Sequence, residues 1–208
     1  MALSEDGRSV RAEAKRQQRF LEIERVAARL FSENGFHATS VADVIEAANI
    51  SRGTFYLYFD SKESLFLSLM DRLIRQIMTA VRVVDPHGEN PTREIAENIH
   101  RVIDVVFDNP NLTRLVFQQS VGLNPEIDAK LQRLYGFLQE MVEGALINGA
   151  KTGLIREVNV PLVAQVLIGG MKEVFHALLS AGSNTNLERG AMAMELLEFG
   201  LHGLQTRS

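Results

Sequence analysis

The sequence specifies an all-α protein, an N-terminal three-helix helix-turn-helix unit followed by a larger C-terminal helical domain. Three observations carry this. Apolar residues recur at three-and-four spacing along most of the 208 residues. Gly, Pro and Asn punctuate the chain at intervals of helix length, and no alternating strand pattern competes with them. One stretch, Ser40 to Phe59, reads as two short helices joined by a tight turn.

Phe20, Ile23, Ala27, Leu30 and Phe31 form one apolar stripe, which predicts an amphipathic helix from about Ala12 to Asn34. Gly35 fits the position just past its end, with Phe36 as the apolar partner of Phe31 in a Schellman-type stop. Arg8, Arg11, Lys15, Arg16 and Arg19 precede or open this helix, and only Glu13 stands between them. Such a cluster could reach phosphates or a minor groove, or be merely a solvated arm; Met1 to Gly7 is read as a disordered tail.

The next helix starts with Ser40 as N-cap and Asp43 three residues on, a capping-box-like pair. Val41, Val44, Ile45 and Ala48 give it one apolar face. Asn49 tolerates the left-handed conformation that a sharp exit requires. Ser51 then caps Arg52-Gly-Thr-Phe-Tyr-Leu-Tyr-Phe59, where Phe55 and Phe59 share an anchoring face and Arg52, Thr54 and Tyr56 lie elsewhere. Small, hydrogen-bonding and cationic groups at a helix N-terminus suit DNA, because the N–H groups favour phosphate and Arg pairs with guanine edges. Gly53 is a poor helix former, costing about 1 kcal/mol against Ala in a helix interior. It either permits close approach to another molecule or sits in a loosely wound first turn.

From about Arg19 to Leu69 the chain resembles the DNA-binding region of the tetracycline-repressor (TetR) family. The matching residues are Leu30-Phe31-Ser-Glu-Asn-Gly-Phe36, Thr39-Ser40-Val41, Ala47-Ala48, Ile50-Ser51-Arg52-Gly53-Thr54-Phe55-Tyr56, Tyr58-Phe59 and Ser61-Lys62-Glu63 with Leu65. The resemblance implies that Arg52, Thr54, Tyr56 and Tyr58 face DNA, that Thr39 and Ser40 sit against phosphate, and that Lys62 grips the DNA backbone. Asn49 stands where many members have Gly, and Leu57 where some place a DNA-facing aromatic, which leaves base preference open.

Breaks at Asp85-Pro-His-Gly-Glu-Asn-Pro91, Asn109-Pro-Asn111, Gly122-Leu-Asn-Pro125, Gly153 and Gly182-Ser-Asn-Thr-Asn186 divide the remainder into helices at about 61–84, 92–107, 111–121, 125–151, 160–181 and 187–205. The domains are accordingly 1–62, arm and helix-turn-helix, and 63–208, sensing and dimerisation, joined by the helix that begins near Ser61. In the middle helices Phe107, Leu115, Phe117, Gln118, Tyr135, Phe137, Met141, Met171, Phe175 and His176 mix aromatics and Met with a few polar groups, the composition of a small-molecule cavity. Each is also a plausible core filler, and His176 a core or interface histidine.

The last two helices are apolar over much of their circumference, so they need cover on two sides. One side meets the chain's own core, and the other a second copy through Val163, Leu167, Gly170, Val174, Leu178, Met194, Leu197, Leu201 and Leu204. The family resemblance implies the same, a four-helix bundle between two copies. A twofold dimer presents two recognition helices to successive major grooves about 34–36 Å apart, and hence selects an inverted repeat.

Net charge is −4, but residues 1–62 carry nine cations against nine acids, so the acidity belongs to the second domain. Cys is absent, which excludes disulfides, thiolate nucleophiles and thiolate metal sites. No HExxH, GxSxG or GxGxxG occurs, and Gly144 to Thr152 misses a phosphate-loop spacing by one residue. No catalytic residue, metal or cofactor is expected. The N-terminus is too polar for a signal peptide and no apolar run approaches about 20 residues, so the expectation is a cytoplasmic protein without a membrane partner. The reading is a ligand-responsive transcriptional regulator, a repressor that binds operator DNA as a homodimer and is released by a small apolar effector. The alternatives are an activator of the same architecture, or a helical lipid- or acyl-binding module that leaves Arg52-Gly-Thr-Phe-Tyr unexplained.

Overall fold

A computed structural model describes residues 3–119, 125–180 and 189–204, and among these there are nine α-helices and no strand. They are α1 Leu3–Asn34, α2 Val41–Ala47, α3 Arg52–Tyr56, α4 Lys62–Ala80, α5 Pro91–Asp108, α6 Pro110–Gln119, α7 Pro125–Lys151, α8 Val160–Ser180 and α9 Arg189–Leu204. Two compact units divide within α4, one through Asp71 and the other from Arg72. The sequence boundary at 62 falls at the start of α4. The first half of α4 belongs with the N-terminal unit because Leu65, Phe66, Leu69 and Met70 are all fully buried.

The core of the first unit is aromatic. Phe31, Phe36 and Phe66 form a triangle with ring centroids 4.9 to 6.1 Å apart, and Ile23, Ala27, Val44 and Phe55 complete it. Each such Phe contributes roughly 1.5–3 kcal/mol by leaving water. Gly35 ends α1 at φ 89°, where only Gly is unstrained, and its N–H donates to the Phe31 carbonyl. Asn49 adopts φ 50° between α2 and α3, as the exit from α2 demands. α1 differs from expectation at its start. It is helical from Leu3, so the disordered tail assigned to Met1–Gly7 is corrected for all but its first two residues, which lie outside the described ones. Its early turns are held by continuity with the packed half of the same helix, a tie that apolar periodicity does not register.

In the second unit α4 stops at Ala80, four residues before the expected 84. The side-chain amide of Asn98 on α5 accepts from the Arg82 N–H at 2.9 Å and donates to the Arg82 carbonyl at 2.8 Å. This claims the groups that another helical turn would have used. Pro91 opens α5 at a position that needs no N–H. One core cluster joins α5, α8 and α9 through Val102, Ile103, Val106, Phe175, Leu179, Met192 and Ala193. A second joins α7 and α8 through Leu146, Ile155 and Ala164. Arg114 on α6 donates from Nε to the Leu179 carbonyl near the end of α8 at 3.0 Å. Arg189 pairs with Asp108 at 2.7 Å and Asp104 at 3.0 Å, locking α9 to α5. These two carboxylates, Asp108 foremost, raise the Arg189 guanidinium above its ordinary value.

The expectation of no apolar run near membrane-spanning length needs amendment. Val160–Leu179 on α8 is long and apolar enough by length and composition, with only 17% of that stretch buried within the chain. It carries Lys172 and Glu173 past its middle.

Candidate nucleic-acid interface and effector region

The α2–α3 pair is built by caps. The Ser40 hydroxyl accepts from the Asp43 N–H at 3.2 Å, and the Asp43 carboxylate accepts from the Ser40 N–H at 2.7 Å. That backbone bond, and then the one from the Ser40 hydroxyl, hold the Asp43 carboxyl below its ordinary value of 3.8. Ser51 caps α3 by accepting from the Thr54 N–H at 3.0 Å. Beneath α3, Phe55 is fully buried and Phe59 nearly so, and Phe20 stacks on Phe59 at 5.1 Å. The underside of the recognition segment is sealed and its orientation fixed.

The outer side is open. Arg52 is exposed and its guanidinium lies 5.7 Å from the Tyr56 ring centre. Tyr56 is 44% exposed. Among the described residues, a Cβ built on Gly53 would meet nothing nearer than Ser51 Oγ at 3.9 Å, so none of them explains that glycine. Leu57 is 75% exposed at the end of α3, an apolar side chain on a polar face, at the position where the resemblance implies a DNA-facing aromatic in some members. Thr54 is half-buried with its hydroxyl 2.8 Å from Ser51 Oγ, and Tyr58 is half-buried with its ring 6.3 Å from Phe20. Ser40 is exposed and engaged in its cap.

Two expected phosphate contacts are placed otherwise. Thr39 is 1% exposed, and its hydroxyl donates to the Gly35 carbonyl at 2.9 Å. The Lys62 ammonium donates to the Phe36 carbonyl at 2.8 Å and the Thr39 carbonyl at 2.9 Å, and stands 4.4 Å from the Phe36 ring centre. Lys62 thus ties the start of α4 to the loop between α1 and α2. Both residues shape the loop that presents Ser40.

The family model "Bacterial regulatory proteins, tetR family" matches residues 23–69, the span of this capped and sealed element. Residues 23–69 are a tetR-family DNA-binding region. The chain is similar to the fatty acid metabolism regulator protein of Bacillus subtilis, 24% identical over 193 residues that cover 90% of this chain and 98% of the relative. It is 38% identical to the Mycobacterium tuberculosis regulator EthR over 91 residues, which cover 43% of this chain and 41% of EthR. Its fold matches that of the regulator FadR from Bacillus subtilis in complex with stearoyl-CoA, with TM-score 0.69, 21% identity, and coverage of 89% of this chain and 100% of FadR. Carrying this region, the protein is a DNA-binding transcriptional regulator.

In the effector region the structure brings together three of the expected residues. Phe107 and Met171 pack against the cluster that holds Phe175. Tyr135 on α7 is half-buried, with Lys172 Nζ 5.8 Å from its ring centre, and burial raises its phenol. Phe137 and Met141 are half-buried on α7. The His176 side chain is 44% exposed, with Nδ1 3.5 Å from Glu173. The side chains of Phe117 and Gln118 lie outside the described residues.

Of the expected dimer contacts, Val163, Leu167, Val174 and Leu178 are half-buried and Leu197 is buried within the chain, while Gly170 and Met194 are exposed. Leu201 and Leu204 have side chains outside the described residues. Among the described residues, Leu162, Val166 and Phe199 are also exposed, at 56%, 65% and 79%, and a Cβ on Gly169 or Gly170 would meet none of them within 4 Å.

Proposed function

We propose that this regulator is a cytoplasmic repressor that binds an inverted-repeat operator as a homodimer and is released by a small apolar effector, an acyl thioester being the favoured class. The observation that carries the reading is the outer row of α3, where Arg52, Gly53 and Tyr56 stand exposed above a sealed aromatic base. A cation, a close-approach point and a hydrogen-bonding ring on a rigid element are what base readout in a major groove needs. In this reading Ser40 meets phosphate beside it, Thr54 and Tyr58 border the row, and Thr39 and Lys62 act by positioning the loop.

Dimerisation is supported by the apolar side of α8 and α9. Leu162, Val166 and Gly169 with Gly170 recur at helical spacing on the side of α8 that the chain leaves open, and Phe199 adds to it from α9. A second copy covers this surface, which accounts for an α8 as apolar as a membrane span in a DNA-binding protein. The seam lies on this side, displaced from Val163, Leu167 and Val174.

The effector class rests on the cluster of Phe107, Met171 and Phe175 and on the stearoyl-CoA in the complex of the similar FadR. An effector that binds more tightly to a conformer with wrongly spaced heads lowers operator affinity by that difference. The test is selection of bound duplexes from a random pool, with wild type and Tyr56→Ala, followed by release assays with acyl-CoAs of graded chain length and with free CoA. An enriched inverted repeat that depends on Tyr56, and release that grows with chain length, is the expected result. Enrichment of a single half-site removes the dimer, and release indifferent to the acyl chain removes the effector class.

A further inference from the structure

Between Val166 and Leu179 the apolar helix α8 carries three polar side chains, Lys172, Glu173 and His176. Glu173 and His176 are exposed and stand 3.5 Å apart. Lys172 differs from both. It is half-buried and laid toward α7, with Nζ 5.8 Å from the centre of the Tyr135 ring. A ring face at that distance attracts a cation weakly and accepts none of its three N–H bonds in the way an oxygen does. Among the described residues no carboxylate pairs with Lys172, and no group takes the hydrogen bond of the Tyr135 hydroxyl.

An unpaired lysine is ordinary where water serves it. At the α7–α8 seam the stem is partly covered, and partial burial makes a charge without a counter-ion costly. Tyr135 is in the same position. Burial raises its phenol, so at neutral pH it keeps its proton and is available as a donor. Two donors on facing helices, one of them charged, with no acceptor of their own, suit an anion.

Their surroundings give the shape of the molecule that would bring it. Met171, next to Lys172, packs against the cluster that holds Phe175, one turn further along α8. On α7 the half-buried Phe137 and Met141 follow Tyr135. The donors thus border an apolar region.

We propose that Lys172 and Tyr135 form an anion site at the edge of the effector region, which takes the carboxylate or phosphate head of an effector whose apolar chain lies against Met171 and Phe175. This rests on the effector reading above and adds an acidic head to the apolar body. A neutral molecule with the same chain would leave Lys172 unpaired, so the site selects by charge as well as by length.

The test is titration calorimetry on the full-length protein with decanoate, decanoyl-CoA, decanol and free CoA, for wild type, Lys172→Met, Lys172→Arg and Tyr135→Phe. Met keeps the stem that covers the Tyr135 ring and removes only the ammonium. Wild type is expected to bind an acidic probe more tightly than decanol. Lys172→Met should weaken that acidic probe at least about tenfold, the usual cost of a lost charged hydrogen bond, and leave decanol unchanged. Tyr135→Phe should act in the same direction by a smaller factor, and Lys172→Arg should follow wild type. Dependence of decanoate on Lys172 identifies the head as a carboxylate, and dependence of decanoyl-CoA and free CoA alone identifies it as a phosphate. The proposal is overturned if Lys172→Met keeps the wild-type ratio of acidic to neutral affinity; should its sedimentation change as well, the ammonium belongs to a contact with a second copy. Wild type that binds none of the probes, decanol included, removes the apolar effector itself and the head with it, a result distinct from loss of the ratio.

Discussion

Replacing Lys62 by Met separates a structural clamp from a phosphate contact. Met keeps the length of the side-chain stem and removes the ammonium, which donates to the carbonyls of Phe36 at 2.8 Å and Thr39 at 2.9 Å over the Phe36 ring. A hydrogen bond from a charged group contributes roughly 1.5–3 kcal/mol when the carbonyl it serves is buried. Here the site is half-buried and water can replace part of the loss, so the two bonds together contribute about 2 kcal/mol, with up to about 1 kcal/mol more from the cation over the ring. A loss of about 2–3 kcal/mol is a large share of the 5–15 kcal/mol that holds a typical domain. Urea denaturation followed by tyrosine fluorescence reads it, because Tyr56 and Tyr58, two of the three tyrosines, lie in the first unit. DNA affinity should fall by a similar factor at every salt concentration, since a loosened loop displaces Ser40 without removing a phosphate partner. An unchanged denaturation midpoint, combined with a salt slope reduced by about 0.9, would refute the clamp and return Lys62 to the DNA backbone.

Gly53→Ala is expected to leave stability unchanged or raise it by up to about 1 kcal/mol, as Ala favours helix, while operator affinity falls at least about tenfold, or about 1.4 kcal/mol; thermal melting and duplex titration measure the two effects. Asn49→Ala should cost about 1–2 kcal/mol because its φ of 50° strains a side chain without a local hydrogen bond, whereas Asn49→Gly should be near neutral in the same melts. The Asp43 carboxyl is held below 3.8 in the folded chain, so its stabilising effect is complete above that value and is lost as pH falls through the lower folded one. Wild type and Asp43→Asn should therefore differ in stability at pH 6 and converge toward pH 2, as followed by circular dichroism; a gap that persists in acid contradicts the cap.

The order and type of the helices were legible because their signals are local. The stripe from Phe20 to Phe31, the Gly35 stop, the Ser40 and Ser51 caps and the left-handed Asn49 each depend on residues within a turn or two. Spacing also separated the anchoring Phe55 and Phe59 from the outward Arg52 and Tyr56, since i and i+4 share a face of any helix. What sequence could not supply was the destination of a side chain whose partner is far along the chain. Lys62 finds carbonyls of residues 36 and 39, Thr39 turns its hydroxyl inward to Leu30 and Gly35, and Asn98 ends α4 by binding Arg82. Composition marked α8 as apolar over much of its circumference, and burial alone distinguished the side with Phe175 and Ala164 from the side left open at Leu162 and Val166. The sequence by itself determined the helical periods and the chemistry of the DNA-reading face, because both are written in neighbouring residues. Only the tertiary structure decided which cations face outward and which are spent on the protein's own backbone, because that choice is made by groups that folding alone brings within reach.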